Sequence, residues 1–317
     1  MNLLLFKLRY IGDVLLTTPA VSLVRQAHPN DKITMVVNKG TEDILKYNTD
    51  LNEVIVVEKT NKYKNLLTIL KQLRKTKYDI SIDFASGDRA AWLALWSGAK
   101  LRIGLLSNEG FRRWINNCQV KYLESSHTVN LYIAIASEAP AIKSKNIKLQ
   151  NSRLKLIYSE EDAKYARSII YKNKLKDKNY VTVHLGCRYH VNKWGINNWV
   201  NLLNKLNIPV VFIGTQNDNE TIREVSSNLK VKNISLAGGT TILQTAAVIA
   251  YSSGFIGHDS GPMHISAAMN VPVIGIFGKE SNPVAWHPWT DNYVIISTNQ
   301  SADDVYLQAK IMLTPKL

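Results

Sequence analysis

Gly257-His258-Asp259-Ser260-Gly261-Pro262-Met263-His264-Ile265-Ser266-Ala267-Ala268 is the stretch that decides the fold. An apolar run ends in Asp-Ser-Gly-Pro, and a segment of small residues follows. That pattern predicts a strand, a tight turn and the exposed start of a helix. Pro262 suits the first helical turn and Gly261 the junction before it. A second apolar run over residues 271–277 follows at once, so the unit is strand–helix–strand. The first amides of a helix have no partner within it, and the dipole there is positive, so Ser260 and the adjacent N–H groups can cradle a phosphate. An Asp and a His flank the same turn. The position is the one at which α/β proteins bind nucleotides, the carboxyl ends of their strands.

Working outward, the alternation extends over the whole chain. In the first half, apolar runs at residues 3–8, 33–37, 54–57 and 80–84 read as strands. Residues 13–25 read as one helix, stopped by Pro29. Residues 63–75 read as another, with Leu66, Leu67, Ile69, Leu70 and Leu73 at helical spacing and Lys64, Lys71, Arg74 and Lys75 on the polar face. The polar, Lys-rich stretch 143–155 reads as a linker. The second half restarts with strand candidates at 180–185, 210–213, 234–236, 255–256, 273–277 and 294–296. Helices are expected between them, notably at 197–206 and 243–251. Alternating strands and helices imply parallel sheets covered on both faces. The expected organisation is an α/β chain with a first domain over 1–155, a second over 156–300 and, within 301–317, a closing amphipathic helix at 302–313 that packs back on the first domain.

The chain has 317 residues, enough for two domains, and no apolar run long enough to span a bilayer. The apolar N-terminus lacks a basic start, and Lys7 and Arg9 cut its run short, so it reads as a strand rather than a signal peptide. Two cysteines, Cys118 and Cys187, lie far apart, which disfavours a disulfide framework or a zinc site and fits a reducing cytoplasm. The net charge is +14, of which +11 falls in residues 1–158. Such a surplus suits an anionic partner, whether nucleic acid, acidic headgroups or a phosphorylated glycan, and it equally suits general solubility. A nucleic-acid binder would show interleaved aromatics and a recognisable motif, and neither is clear.

Further segments follow strands and carry chemistry. In Arg9-Tyr10-Ile11-Gly12-Asp13-Val14-Leu15-Leu16-Thr17-Thr18-Pro19, Gly12 permits a tight turn and Asp13 opens a helix. Asp13 suits either an N-cap, worth roughly 0.5–2 kcal/mol, or a general base. In His184-Leu185-Gly186-Cys187-Arg188-Tyr189-His190-Val191-Asn192-Lys193-Trp194, Arg188 and Lys193 can neutralise a leaving diphosphate, or serve as solvated loop charges. His184, inside its strand, reads as a packed core histidine. In Gly214-Thr215-Gln216-Asn217-Asp218-Asn219-Glu220, an acidic residue can hold ribose hydroxyls or simply start a helix, and Asp218 and Glu220 both remain open for that role. There is no Gly-x-Gly-x-x-Gly after the first strand, no P-loop and no Gly-x-Ser-x-Gly nucleophile turn, which disfavours the enzymes those motifs mark.

Together these segments resemble glycosyltransferase family 9, the ADP-heptose:lipopolysaccharide heptosyltransferases. The likeness rests on residues 11–19, on Lys193-Trp194, and on Asp259-Ser260-Gly261-Pro262-Met263-His264 with Pro272-Val273-Ile274-Gly275-Ile276-Phe277-Gly278. Two more stretches, 38–45 and 87–92, are most similar to the heptosyltransferase III branch. Relatives usually read His-Pro-Gly and then Ser or Ala where this chain has His184-Leu185-Gly186-Cys187.

The resemblance implies a GT-B fold, two Rossmann-like domains with an interdomain cleft, and transfer of heptose to the lipopolysaccharide inner core with inversion. It implies Asp13 as the catalytic base. The expected donor site comprises Gly12, Gly186, Cys187, Arg188, Lys193, Asp218, Asp259, Ser260, Gly261 and His264. Arg89, Arg112 and Arg113 are expected acceptor contacts. No metal or other cofactor is expected. The expected partners are ADP-heptose and the anionic glycolipid acceptor, with no nucleic acid. The expected location is the cytoplasm, peripheral to the inner leaflet of the inner membrane. A different nucleotide sugar is the alternative donor.

Overall fold

A computed structural model describes residues 1–58, 63–85, 87–106, 112–121, 126–187 and 193–313, without the side chains of 63–66, 112 and 113. The chain divides into two compact units, Met1–Ile157 and Tyr158–Leu317, a boundary two residues beyond the expected one.

The first unit holds six strands: β1 (Asn2–Lys7), β2 (Lys32–Asn38), β3 (Glu53–Val57), β4 (Ile80–Asp83), β5 (Leu101–Leu105) and β6 (Cys118–Val120). They form one sheet in the order β3-β2-β1-β4-β5-β6, with every pairing parallel. The second unit holds β7 (Val181–His184), β8 (Val210–Phe212), β9 (Asn233–Ser235), β10 (Gly254–His258), β11 (Val273–Phe277) and β12 (Tyr293–Ser297). Its sheet runs β12-β11-β10-β7-β8-β9, again parallel throughout. Both sheets therefore have the same doubly wound order. The chain steps outward from the first strand, returns to its other side and steps outward again. In such sheets the connections after the two central strands diverge to opposite faces, and the gap between them is where ligands sit. Here those gaps lie at the carboxyl ends of β1 and β4, and of β7 and β10.

The strands are apolar because both sheet faces are covered. Leu3, Leu4, Leu5 and Phe6 of β1 are all fully buried. In the second unit, Val181, Val183, Ile256, Ile274 and Ile276 pack with Trp194, Trp199, Leu202 and Leu203. The closing helix, Ala302–Leu313, matches its predicted bounds, but its packing corrects the expectation. Ala302, Val305, Ala309 and Leu313 belong to the second unit's own core rather than to the first domain. Its apolar stripe packs beside the Ile196–Leu206 helix in the same core, and Gly254 lies against Leu313, where an added Cβ would meet Leu313 Cδ2 at 2.4 Å.

Three further readings are corrected. Residues 13–25 are not one helix but two, Ile11–Leu16 and Thr18–Ala27. The cause is Pro19, which has no N–H for the carbonyl of Leu15. The Thr18 hydroxyl takes that carbonyl instead, at 2.8 Å, and the Thr17 hydroxyl takes that of Val14 at 2.7 Å. Strands β5 and β6 were not expected, because Arg102 and Gly104 break the apolar pattern of one and the other has only three residues. In the Tyr63–Arg74 helix, Ile69 and Leu73 are buried, but Leu67 faces solvent.

Candidate active site residues in the two domains

In the first domain the polar cluster stands at the β1–β4 gap. Asp13 does not cap its helix. The N-cap position is Tyr10, in extended conformation, and Asp13 lies in the first turn with its carboxylate facing back to the end of β1. There Asp13 Oδ1 is 3.1 Å from Nζ of Lys7. Lys7 is only 3% exposed, unusual for a lysine, and its other donors are also engaged. Nζ donates to the Phe84 carbonyl at 3.0 Å and to the Tyr132 hydroxyl, and it stands 4.4 Å from the centre of the Tyr132 ring. Burial pushes the Lys7 ammonium below its ordinary pKa, and the Asp13 carboxylate opposes that shift. Asp83, the last residue of β4, is buried beside them and accepts from the Ala85 amide at 2.7 Å. Gly12 is buried in the same helix.

Of the expected acceptor contacts, Arg89 is half-buried in the first turn of the Asp88–Trp96 helix and donates to the Glu58 carbonyl, and burial lowers its pKa. Arg112 and Arg113 begin a short helix, Arg112–Ile115, but their side chains lie outside the described residues.

In the second domain the cluster stands at the β7–β10 gap. Ser260 is the extended N-cap of the Gly261–Ala268 helix, with Pro262 in its first turn, as the sequence predicts. Its hydroxyl donates to the His258 carbonyl at 2.9 Å and meets Nδ1 of His184 at 3.1 Å. Because that hydroxyl is spent inside the protein, the helix-start amides rather than the side chain are left for an anion. His184 is buried, as expected of a core residue, and burial lowers its pKa, with the Asp218 carboxylate 3.9 Å away opposing. Asp218 itself closes a capping box, accepting from the Thr215 amide at 2.7 Å and hydroxyl at 2.9 Å. Gly186 and Gly214 are what admit it. A Cβ on Gly186 would lie 2.4 Å from one Asp218 oxygen, and one on Gly214 (φ +150°) would lie 2.6 Å from the other. Asp218 thus starts its helix while lying against His184, whose Nδ1 meets the Ser260 hydroxyl. Glu220 starts the following helix, Asn219–Ser227.

Asp259 is half-buried, with its amide bound to the Ile276 carbonyl at 3.1 Å. Burial raises its carboxyl pKa to about 6, against a hydrogen bond from Ser281. His264 is buried within its helix, and Cys187 is a half-buried thiol outside any disulfide. Arg188 lies outside the described residues. Lys193 is exposed and immediately precedes Trp194, which is buried.

Two residues were missed in the sequence. Lys7 registered only as a charge that interrupts an apolar run. His258 was passed over although it adjoins Asp259. It accepts the Trp194 amide on Nε2 at 2.9 Å, and the Trp199 ring packs edge-on against it. Trp194 also donates Nε1–H to the Gln300 carbonyl at 3.0 Å. Burial pushes the His258 pKa down to about 4, helped by His184. The neutral ring thus ties the segment carrying Lys193 to the strand that ends in the phosphate-type turn. Among the described residues no cluster of three or more His, Cys, Asp and Glu side chains has the grouping a metal ion needs.

Two doubly wound sheets, each with polar residues gathered at its switch point, define the class: a twin Rossmann-like α/β protein of the GT-B type. The particular family follows from comparison. Residues 66–311 match the model of glycosyltransferase family 9 (heptosyltransferase), and the chain belongs to that family. It is 28% identical over 302 residues to lipopolysaccharide heptosyltransferase 3 of Escherichia coli K12, covering 90% of this chain and 85% of that one. The fold is shared with the family 9 glycosyl transferase of Veillonella parvula (TM-score 0.87, 22% identity, 98% and 97% covered). It is shared likewise with the ADP-heptose lps heptosyltransferase II of E. coli (TM-score 0.81, 20% identity, 99% and 98% covered).

Proposed function

We propose that this protein moves heptose from ADP-heptose to the inner core of lipopolysaccharide in a single inverting displacement. The acceptor hydroxyl oxygen bonds to the anomeric carbon as that carbon's bond to the diphosphate oxygen breaks. Asp13 receives the hydroxyl proton, and ADP leaves with the bonding pair. The observation that carries this reading is the unequal furnishing of the two switch points. One holds a carboxylate braced by a buried cation, suited to proton transfer. The other holds a helix start and a nearby lysine, suited to a diphosphate.

The roles divide accordingly. Lys193 and the Ser260–Gly261 amides meet the leaving diphosphate, joined by Arg188. Asp218 faces the ribose. Asp259 is a half-buried carboxylate that would repel phosphate, so it suits the sugar hydroxyls. Charge on the leaving group is met by protein cations and helix amides, without a metal. The surplus of positive charge in residues 1–158 suits a phosphorylated glycolipid at the cytoplasmic face of the inner membrane, with Arg89, Arg112 and Arg113 toward the acceptor. No helix among the described residues is long and apolar enough to cross a membrane, in keeping with peripheral attachment.

The test is incubation with a panel of nucleotide sugars and a truncated lipopolysaccharide, with products read by mass spectrometry and the new anomeric linkage by NMR. Transfer from ADP-heptose with inverted configuration, unchanged by EDTA, is expected. Transfer from another donor alone, or with retention, would overturn the reading.

A further inference from the structure

Lys7 occupies a place that structural need alone does not explain. A lysine buried at the end of a core strand costs several kcal/mol of desolvation unless fully paired. Here each of its three donors has a separate partner: the Phe84 carbonyl, the Tyr132 hydroxyl and Asp13 Oδ1. The first two belong to the framework, one following β4 and the other on the Thr128–Ser137 helix. The third belongs to the group read above as the base. The ammonium therefore ties one oxygen of Asp13 to two fixed points.

We propose that Lys7 is a positioning residue for the transfer reaction, holding Oδ1 of Asp13 so that Oδ2 is the oxygen that takes the acceptor's proton. This rests on the reading of Asp13 as the base. When the proton arrives, Asp13 becomes neutral and Lys7 loses its nearest counter-charge. The Phe84 carbonyl, the Tyr132 hydroxyl and the neighbouring Asp83 carboxylate then keep the cation accommodated, so the carboxyl need not swing away between turnovers. Other charged and titratable groups facing Lys7 are Arg9 and Asp83, with Tyr132 above the ammonium.

The experiment measures wild type, Lys7→Met, Lys7→Arg and Tyr132→Phe with ADP-heptose and truncated lipopolysaccharide, recording kcat and both KM values. Wild-type transfer establishes the underlying reading; without it that reading fails before Lys7 is at issue. Given wild-type transfer, Lys7→Met is expected to lose kcat about 100-fold with both KM values within threefold. Lys7→Arg restores part of the loss, and Tyr132→Phe loses threefold to tenfold in kcat through the loosened ammonium. A Lys7→Met kcat within threefold of wild type would overturn the proposal, as would a loss confined to KM. If Lys7→Met does not fold, Tyr132→Phe decides: kcat unchanged, or a change confined to KM, overturns it.

Discussion

Lys7 and His258 are buried basic side chains whose ring or ammonium nitrogens are engaged inside the protein, Lys7 with Phe84, Tyr132 and Asp13 and His258 with the Trp194 amide. Their effect on stability is measurable through pH. The His258 pKa lies at about 4, below an ordinary value of 6.5, so between those values the unfolded chain binds a proton that the folded chain does not. Stability is fully present above about 6.5 and falls as pH falls toward 4, a gap worth about 3 kcal/mol. His184 is shifted in the same direction. Asp259 acts oppositely. Its carboxyl pKa is raised from 3.8 to about 6, so the folded state holds its proton there and the contribution is lost as pH rises through that range. Asp259→Asn removes this opposing effect. Thermal melts of that variant should lose stability more steeply than wild type from pH 6.5 to 4.5 and gain up to about 3 kcal/mol at pH 8. A parallel pH dependence would mean that the carboxylate is not buried as described. These couplings were invisible in the sequence. A lysine seven residues into the chain and a histidine before an aspartate show their burial only when strands from distant segments are laid side by side.

At the scale of elements, the sequence was most legible where apolar runs are continuous. The Val273–Phe277 strand and the Ala302–Leu313 helix match their expected bounds, because Val, Ile and Phe without interruption in one, and apolar residues at helical spacing in the other, leave little choice. Legibility fails where a side chain substitutes for the backbone. The break after Leu16 depends on threonine hydroxyls replacing an amide that proline lacks, which periodicity does not register. Thr18 Oγ1 also accepts the Lys155 amide at 2.9 Å, tying the end of the first unit to this joint. Thr18→Val keeps the shape but leaves the Leu15 carbonyl and the Lys155 amide unpaired. It should cost about 1–3 kcal/mol in chemical denaturation, and Thr18→Ser should recover most of it. A cost below 0.5 kcal/mol, on the order of an ordinary surface change, would show that water replaces the hydroxyl.

At the scale of the whole molecule, one topology is used twice and furnished with different polar side chains at its two switch points. Both sheets share the doubly wound order, and both site clusters lie where that order reverses. The alternation of strands and helices made this architecture readable, and the segments after strands marked Asp13, Asp218 and Ser260 in advance. The sequence did not say which atoms of those residues are already engaged. Ser260 proves to spend its hydroxyl on His258, and Asp218 spends its carboxylate on Thr215. Nor did the sequence show that the closing helix belongs to the second unit, since an amphipathic stripe does not name its partner.

In the proposed reaction the second domain holds the donor and the first carries the proton transfer. The most direct test measures ADP affinity by calorimetry and heptose transfer by product formation on the same preparation of Asp13→Asn, beside Lys193→Ala. Asp13→Asn should lose about 10²–10⁴-fold in transfer while ADP affinity stays within about twofold of wild type. Lys193→Ala should weaken ADP about 10–100-fold, as expected for a lost charge-assisted contact. Near-normal transfer by Asp13→Asn, or loss of its ADP binding, would contradict the account.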